Sequence, residues 1–357
     1  MKKVLFIAMH RPNRSPSQRY RFEQYFPYLE SQGIRCDLSY LISARDDRIL
    51  YQPGHYLGKG AIFLKSLRQR LRDIRIARQY DYIFIQREAI MVGTTRIERQ
   101  LAAIGVPVIF DFDDAIWLPD ESAHLGLLGR LKRPQKTATL ISLANTVVAG
   151  NDYLADYARQ YNERVTVIPT TIDTDQYRVK KTDTSQQQIT IGWTGSFSTI
   201  KHFEWLVPVL LRLQEKYGER LRFEVIGDPS YKNDALHLTG RLWQAATEVQ
   251  DLQRFDIGIM PLPDNPWTRG KCGLKGLQYM GIGIPAVMSP VGVNKQIIKD
   301  GENGFLAGTH EEWFARLSQL IDNPGLRQQL GRAGRLTVEE RYSVAANRQR
   351  YLDLFSA

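Results

Sequence analysis

The chain has 357 residues, a length that predicts two domains of ordinary size rather than one very large core. Hydrophobic residues make up 43% and charged residues 24%, which excludes a wholly disordered or fibrous chain. Residues 1–170 hold 25 of the 48 basic but only 17 of the 38 acidic side chains, so most of the net charge of +10 lies in the first half. That half is therefore expected to face an anionic partner.

The sequence contains nothing near the roughly 18 consecutive apolar residues of a membrane span. The apolar run Val4–Met9 is also too short for a signal-peptide core. The only cysteines, Cys36 and Cys272, predict no disulfide framework and fit a reducing cytoplasm. The six histidines show no metal-binding spacing, so no metal cofactor is expected.

Short apolar runs alternate with amphipathic stretches, a pattern typical of parallel strands covered by helices on both faces. The sequence therefore predicts a doubly wound α/β fold. The predicted strands of the first series are Lys3–Ala8, Tyr82–Gln86, Val106–Phe112, Thr146–Ala149 and Val165–Pro169, with a first helix over Gln18–Gln32 that Gly33 ends. Those of the second series are Ile189–Trp193, Phe223–Ile226, Ile257–Met260, Pro285–Met288 and Gly304–Ala307.

The restart of the strand pattern predicts two Rossmann-like domains, 1–178 and 179–339. Between the two series, Thr170–Gln188 is polar and has too few large apolar residues for a core element, so the linker is expected there. Ligands of such sheets bind beyond the carboxyl ends of the strands, and two facing sheets would form a cleft.

The segment 61–80 predicts a basic amphipathic helix. Its apolar residues are Phe63, Leu64, Leu67, Leu71 and Ile74, and its basic ones are Lys65, Arg68, Arg70, Arg72, Arg75 and Arg78. One interpretation is that the apolar stripe packs on the sheet and the charged face is solvated. Another is that the helix docks on an anionic membrane surface. Nucleic acid is not an expected partner, because the sequence contains no recognisable nucleic-acid module.

The stretch RGKCGLKGLQYMGIGIPAVMSP, residues 269–290, leads from a glycine-bearing loop into a helix. The start of a helix presents backbone N–H groups and the positive end of its dipole, which suits a diphosphate. Lys271 and Lys275 would add charge-assisted contacts. An ordinary helix start with solvated lysines is the alternative.

These residues carry a resemblance to a known family. GLKGLQYMGIGIPAVMSPVG, followed by IIKDGENGFL, resembles the donor-domain signature of retaining glycosyltransferases with the GT-B fold, glycosyltransferase family 4 (group 1). VIPTTIDTDQY, IGWTGSFSTIKH, VIGDP and FDIGIMPLP follow the order and spacing of the family's motifs. The resemblance covers nearly all of the C-terminal half.

The resemblance implies two Rossmann-like domains facing across a cleft, with a C-terminal helix over about 340–357 that packs back on the first. It also implies transfer of a sugar from a nucleotide-diphosphate donor, with retention and without a metal, to the hydroxyl of a glycan or lipid-linked acceptor. Synthesis of a surface polysaccharide or glycolipid is the expected setting, in the cytoplasm and with peripheral membrane attachment as an option.

The resemblance also assigns residues to the donor site. Lys201 matches the family lysine that contacts the diphosphate, and the amides of Gly273 and Leu274 match the helix-start donors. Gly270 and Gln278 stand where the family has two glutamates, so Gln278 is expected to bind the ribose less strongly than a carboxylate would. The predicted donor-binding set is Gly195, Ser196, Lys201, Asp228, Lys271, Gly273, Leu274, Lys275 and Gln278.

In the first half, Asp113 and Asp114 match the family's His-Asp pair and are the predicted catalytic residues. A carboxylate can stabilise positive charge at the anomeric carbon of the transferred sugar. A capped turn without catalytic duty and a metal-binding DxD motif are the alternatives. Near the first strand the sequence has Arg11, Arg14, Arg19 and Arg21, of which Arg19 and Arg21 are predicted to bind an anionic acceptor. Contact with the donor phosphates and ordinary solvated arginines are the alternatives.

Two further functions stay open. The missing acidic pair would also fit a noncatalytic subunit that binds nucleotide sugars. A nucleotide-sugar epimerase or hydrolase could share the same fold.

Overall fold

The computed structural model describes residues 1–52, 54–91, 93–118, 134–180 and 188–356. The chain forms two compact units, one of Met1–Pro169 with Arg348–Ala357 and the other of Thr170–Asn347. The predicted boundary at 178 therefore lies inside the second unit. Ile172 and Tyr177 are buried there, and the Ile172 amide donates to the carbonyl of Tyr342 at 2.8 Å. Of the predicted linker, residues 181–187 lie outside the described part of the chain.

A six-stranded parallel sheet forms the centre of the first unit, with the strand order β2-β1-β3-β4-β5-β6. Strands β3 and β4 are buried at every residue, as expected for a sheet covered on both faces. The strands are β1 (Lys2–Ile7), β2 (Ile34–Ser39), β3 (Tyr82–Gln86), β4 (Val108–Phe112), β5 (Thr146–Ala149) and β6 (Val165–Val167).

Seven α-helices of the first unit precede the second series of strands in the described residues. They are α1 (Pro16–Arg19), α2 (Phe26–Ser31), α3 (Ala44–Leu50), α4 (Tyr56–Ile76), α5 (Arg96–Ala102), α6 (Pro134–Leu143) and α7 (Asp152–Arg159). The predicted helix Gln18–Gln32 is thus broken into α1, a 3₁₀ turn over Glu23–Tyr25 and α2. Pro27 has no N–H to donate, so an unbroken helix would lose a hydrogen bond at this point.

Helix α4 packs with a face that the sequence did not indicate. Its buried residues are Ile62, Ser66, Arg70 and Asp73. Of its predicted apolar stripe, Phe63, Leu64 and Leu71 are exposed, and Leu67 and Ile74 are half-buried. Arg70 is fully buried and donates to the carbonyls of Ala8 and Ala89, each at 2.6 Å, and to Asp73 at 2.8 Å. The stripe is thus buried only in part, because the hydrogen bonds of Arg70 make its face of the helix the inner one. The exposed Arg68, Arg72 and Arg75 fit the predicted solvated charged face.

The last residues of the chain complete the first unit. Tyr351 is buried and stacks on Tyr25, with 4.0 Å between ring centroids, and Phe355 contacts Phe6 edge-on at 6.0 Å. The Lys2 ammonium donates to the carbonyl of Phe355 at 2.6 Å. Aromatic contacts of this kind hold the C-terminal segment beside β1.

The second unit contains another six-stranded parallel sheet, in the order β11-β8-β7-β12-β13-β14, and a small hairpin of β9 and β10. Its core is formed by the strands β7, β8 and β12 packed against the helices Ile200–Tyr217 and His310–Asp322. The strands are β7 (Ile189–Thr194), β8 (Leu221–Gly227), β9 (Lys232–Asn233), β10 (Leu238–Thr239), β11 (Arg241–Leu242), β12 (Ile257–Met260), β13 (Ala286–Met288) and β14 (Phe305–Leu306).

The helices of this unit lie mostly between its strands. They are α8 (Ile200–Tyr217), α9 (Glu248–Leu252), α10 (Pro266–Arg269), α11 (Leu274–Gly281), α12 (Asn294–Ile297), α13 (His310–Asp322), α14 (Pro324–Thr337) and α15 (Val344–Asp353). Helix α15 begins in the second unit and ends in the first.

Candidate functional site

The strand order of each sheet identifies the place where a ligand is expected. In the first sheet, β2 lies on one side of β1 and β3 lies on the other, so the strand order reverses between β1 and β3. In the second sheet, β8 and β12 lie on the two sides of β7 in the same way. Doubly wound sheets bind their ligands at such switch points, beyond the carboxyl ends of the strands. The residues after β7 and β12, and those after β1 and β3, are therefore the first candidates.

Two glycines bring the loops after β7 and β8 together. The amide of Gly195 donates to the carbonyl of Ile226 at 2.9 Å. A Cβ atom on Gly227, whose φ is +135°, would lie 1.5 Å from the carbonyl oxygen of Gly195. Only glycine fits at this position, and the contact places Gly195 and Ser196 at the switch point.

The helix start predicted to hold a diphosphate is present. Gly273 precedes α11 with a φ of +71°, and a Cβ atom there would lie 2.2 Å from Ile297 Cδ1. The tight packing and the left-handed backbone both require glycine. The first turn of α11 contains no acidic residue, so the backbone amides from Leu274 onward present positive charge without a neighbouring carboxylate in that turn.

Three of the predicted donor-binding lysines gather around one histidine. His202 is buried in α8, directly after Lys201. Burial and then the charges of Lys275, Lys201 and Lys271, in that order, together lower the pKa of His202 to about 4. Lys275 Nζ lies 5.2 Å from the ring centroid of the buried Trp193. The second unit thus concentrates positive charge at the carboxyl end of β7.

Three other residues of the predicted donor set have well-defined hydrogen bonds. Ser196 caps a 3₁₀ turn, and its hydroxyl lies 2.9 Å from that of Ser198. The Asp228 carboxylate accepts from the amide and the hydroxyl of Ser230, at 2.9 and 2.6 Å, and so stabilises the turn after β8. Gln278 is buried and donates to Tyr177 and Glu248.

In the first unit, the predicted catalytic aspartates meet an arginine at the end of β4. Asp113 Oδ1 accepts from Arg87 Nε at 2.8 Å and from Ser17 Oγ at 3.2 Å. Asp114 Oδ2 lies 3.6 Å from Arg87 Nη2. Arg87 follows β3 with a φ of +60°, a conformation that costs energy in a residue other than glycine and that often marks functional sites.

The two arginines predicted to bind an acceptor have different surroundings. Arg21 is fully buried, donates from Nε to Asp111 Oδ1 at 3.2 Å and also bonds the carbonyl of Ile168. A buried arginine paired with a buried carboxylate holds the sheet together, so its assignment to the acceptor site is corrected to a structural ion pair. Arg19 is half-buried, with its guanidinium 5.0 Å from the Tyr20 ring centroid.

No three His, Cys, Asp or Glu side chains in the described ranges form a group that could hold a metal ion. Within the same ranges, every helix is too short or too polar to cross a bilayer.

His202, Arg87 and Glu248 have no predicted role in the sequence analysis above. His202 could have been recognised because it directly follows Lys201. Arg87 could have been recognised because it directly follows a buried strand. Glu248 lies on a five-residue helix and offered no such signal. Its contact with Gln278 depends on the tertiary fold.

Comparison with known proteins places a family region on the second unit. Residues 188–323 match the family described as "Glycosyl transferases group 1". EpsD of Bacillus subtilis is 36% identical over 87 residues, which cover 24% of this chain and 23% of EpsD. Trehalose synthase of Pyrococcus horikoshii is 27% identical over 124 residues, covering 35% of this chain and 29% of the enzyme. This chain thus spans less than a third of either relative.

Solved structures match the whole chain. HepE of Anabaena, determined in complex with UDP and glucose, has a TM-score of 0.71 and 16% identity, and the match covers 100% of both chains. Sucrose-phosphate synthase of Thermosynechococcus elongatus also has a TM-score of 0.71, with 14% identity over 100% of this chain and 98% of its own. The protein has the GT-B fold, and residues 188–323 in its second half are similar to the group 1 glycosyltransferase family.

Proposed function

We propose that the whole chain is a group 1 glycosyltransferase that moves a sugar from a nucleotide-diphosphate sugar to an acceptor hydroxyl. The observation that carries this proposal is the start of α11 at Gly273, whose first turn has no acidic residue and whose Lys275 Nζ lies 5.2 Å from the ring centroid of Trp193 in β7. The charges of Lys275, Lys201 and Lys271 all act on His202, and these residues lie within the part of the chain that matches the family. A site with this charge suits the diphosphate of the donor. HepE, which has the same fold, is solved with UDP-glucose.

The proposed chemistry needs no metal ion. The bond between the anomeric carbon and the phosphate oxygen breaks, and the nucleoside diphosphate leaves with both bonding electrons. The lysines and the first amides of α11 stabilise the negative charge that develops on this leaving group. Here the protein supplies the positive charge that a divalent ion supplies in other phosphate sites.

Retention of configuration is part of the proposal. The acceptor hydroxyl approaches the anomeric carbon from the face that the phosphate leaves, and its proton passes to the departing phosphate oxygen. The new carbon–oxygen bond then has the configuration of the old one. Asp113 and Asp114 are the proposed groups that stabilise positive charge on the sugar, with Arg87 holding the Asp113 carboxylate in place.

The direct experiment is incubation of the protein with a panel of nucleotide sugars and sugar or lipid-linked acceptors, with products followed by mass spectrometry and their anomeric configuration by NMR. Transfer with retention, undiminished by a chelator, is the expected result. Donor binding without transfer to any acceptor would instead indicate a noncatalytic binding subunit, and new sugars formed without an acceptor would indicate an epimerase or hydrolase.

We also propose that helix α4 attaches the protein to the inner face of the cell membrane, where a lipid-linked acceptor for surface polysaccharide or glycolipid synthesis would be available. Leu57, Leu64 and Leu71, spaced by seven residues, are 93%, 55% and 40% exposed. Between residues 56 and 79 the only acidic side chain, Asp73, is buried, so the exposed charges of this segment are all positive. Apolar side chains flanked by basic ones suit an anionic lipid surface.

Flotation with vesicles of anionic or neutral phospholipid tests the attachment. Wild-type protein is expected to float with anionic vesicles only. Replacement of Arg68, Arg72 and Arg75 by glutamate, or of the three leucines by serine, should abolish flotation. Lys232→Glu, Arg241→Glu and Lys299→Glu in the second unit form the matched control. Equal flotation of all variants contradicts membrane docking, and loss of a dimer in the leucine variant would assign the surface to a second copy.

A further inference from the structure

A strained turn follows strand β3, between Gln86 and Ala89. The amide of Glu88 donates to the carbonyl of Gln86 at 2.8 Å, which closes a three-residue turn around Arg87. The φ of Arg87 is +60°, so the turn has the rare and strained γ form. Such conformations persist only where the surrounding structure holds them, and they concentrate at functional sites. The turn therefore points to a function for the residues that hold it.

Side chains from three helices hold the backbone of the turn. Arg70 of α4 donates to the carbonyl of Ala89 at 2.6 Å, and the buried Glu98 of α5 accepts from the amide of Ala89 at 3.1 Å. Lys136 of α6 is buried and donates to the Glu88 carboxylate at 2.8 Å. These contacts fix the backbone of the turn, and with it the starting point of the side chains that reach the end of β4.

Gln86 begins a chain of hydrogen bonds that leads from the turn to Asp113. Its side chain is buried, and its nitrogen Nε2 donates to Ser17 Oγ at 2.7 Å. Ser17 lies on α1 and donates from Oγ to Asp113 Oδ1 at 3.2 Å. The same oxygen of Asp113 accepts from Arg87 Nε at 2.8 Å. Two residues of the turn thus reach one carboxylate oxygen, Arg87 directly and Gln86 through Ser17.

The chemistry of these groups fixes the direction of each bond in the chain. An ionised carboxylate only accepts hydrogen bonds, so Ser17 donates its single hydrogen to Asp113. The oxygen of Ser17 then bonds Gln86 as an acceptor, which requires the amide nitrogen of Gln86, and not its amide oxygen, to face Ser17. That nitrogen offers no acceptor toward which the hydroxyl could turn. Gln86 therefore directs the Ser17 hydroxyl at Asp113.

We propose that Gln86 and Ser17 are positioning residues of the proposed glycosyl transfer, because with Arg87 they fix the rotation of the Asp113 carboxylate. The inference rests on the proposed function, in which Asp113 stabilises positive charge on the transferred sugar. Two donors that meet at one oxygen resist rotation of the carboxylate about its bond to Cβ. Loss of one donor permits that rotation, so fewer molecules hold the carboxylate as the transition state requires.

Steady-state kinetics of sugar transfer by the full chain tests the role of the hydroxyl, with the donor and acceptor that react fastest in the panel above. Ser17→Ala removes one donor to Asp113 and should lower kcat about tenfold, with the KM of the nucleotide sugar within about twofold of wild type. Ser17→Thr retains a hydroxyl and should keep kcat within about threefold of wild type.

Ser142→Ala is the matched control for the Ser17 variants. Ser142 is an exposed serine of the same unit, and its hydroxyl donates to the carbonyl of Thr139 at 2.9 Å. Its replacement should leave both kcat and KM at their wild-type values. Thermal unfolding of all variants checks that each is folded under the conditions of the assay.

A second substitution shows whether Gln86 acts through Ser17. Gln86→Met is uncharged and of similar length but cannot direct the hydroxyl, so it should lower kcat about threefold in the otherwise wild-type protein. In the Ser17→Ala background it should lower kcat no further, because the hydroxyl that Gln86 directs is absent. A residue that merely supported the fold would lower kcat by the same factor in both backgrounds.

A Ser17→Ala variant with the kcat of wild type overturns the inference, and so does an equal loss in Ser17→Ala and Ser17→Thr. An undiminished effect of Gln86→Met in the Ser17→Ala background overturns the role of Gln86. These outcomes leave the proposed function intact, since wild-type protein transfers sugar in each of them. Absence of transfer by wild-type protein with every donor and acceptor would contradict the proposed function and the inference together. If Gln86→Met does not fold, the comparison of Ser17→Ala with Ser17→Thr decides.

Discussion

The two sheets have the same topology at their switch points but opposite arrangements of charge. In the first unit, cations at the carboxyl edge of the sheet are matched by anions, as in the pairs Arg87–Asp113, Arg21–Asp111 and Lys136–Glu88. In the second unit, burial and then the positive charges of Lys275, Lys201 and Lys271 lower the pKa of His202, so three cations act on one buried side chain. The first unit thus shows cations paired with nearby anions, and the second shows cations that act together at the proposed donor site.

This difference predicts that the two halves respond differently to substitution. Removing a charge from a buried ion pair leaves its partner uncompensated and lowers stability. Removing Lys201, Lys271 or Lys275 is expected mainly to lower the affinity for the proposed anionic ligand, because each would supply a charge-assisted contact. Stability measurements should therefore report mainly on the first unit, and binding measurements on the second.

The largest expected effect is at the buried pair of the first unit. Arg21→Met leaves the Asp111 carboxylate buried without its cation and should cost about 3–5 kcal/mol in the free energy of unfolding. Urea unfolding, with hydrogen exchange of the β4 amides, measures the loss. Arg21→Met/Asp111→Leu should recover most of it, and Arg35→Met, at an exposed pair, should cost less than about 1 kcal/mol. An Arg21→Met variant as stable as wild type would contradict the stabilising role of the Arg21–Asp111 pair.

The next effect concerns the lysines of the second unit. Replacing Lys201, Lys271 or Lys275 singly by methionine should weaken binding of a nucleoside diphosphate about 10–100-fold, because each substitution removes one charge-assisted contact. The melting temperatures of the three variants should fall much less than that of Arg21→Met. Lys299→Met, which changes an exposed lysine of the same unit, should leave the dissociation constant unchanged. Unaltered affinity in all three variants would disprove the diphosphate site.

A smaller effect depends on pH. The pKa of His202 is about 4 in the folded protein but near its ordinary value of about 6.5 in the unfolded chain. Between these values the unfolded chain binds a proton that the folded protein does not, so stability falls as the pH is lowered from about 6.5 toward 4. From pH 7 to pH 5, wild-type protein should lose about 1–2 kcal/mol more than His202→Gln. Identical losses of stability in wild type and His202→Gln would show that folding does not lower the pKa of His202.

The smallest effect is expected at the half-exposed pair of the first unit. A double-mutant cycle of Arg87→Gln and Asp113→Asn should give a coupling energy of about 0.5–1 kcal/mol in urea unfolding. The Arg87 side chain is 33% exposed, and solvent weakens the attraction. A coupling energy as large as that of the buried Arg21–Asp111 pair would contradict the expectation that exposure to solvent weakens the Arg87–Asp113 pair.

The strands were the most predictable part of the fold. Runs such as YIFIQ and ITIGWT are buried throughout, and a continuous apolar run is the pattern of a strand in a parallel sheet. Strand β2 was missed because only its first and last residues are buried, so IRCDLS has neither a continuous apolar run nor regular alternation. The helix at 18–32 was predicted from its periodicity, which takes no account of the missing donor at Pro27.

The orientation of α4 and the surroundings of Gln278 could not be read from the sequence. An arginine counts as a surface residue in any hydrophobic pattern, yet Arg70 lies inside because strand ends offer it carbonyl oxygens. Likewise, nothing in the sequence indicates that Glu248 contacts a glutamine thirty residues further along the chain. Lys201 and Gly273 were found because local motifs contain them.

The assignment of Arg348–Ala357 to the first unit has a consequence for biosynthesis. These residues leave the ribosome only after all of Thr170–Asn347 has been translated. Until then β1 lacks Phe355 and Tyr25 lacks its stacking partner Tyr351. The half that is made first is thus the half that finishes folding last, and a nascent chain stalled before residue 348 would expose aromatic surface to chaperones and proteases.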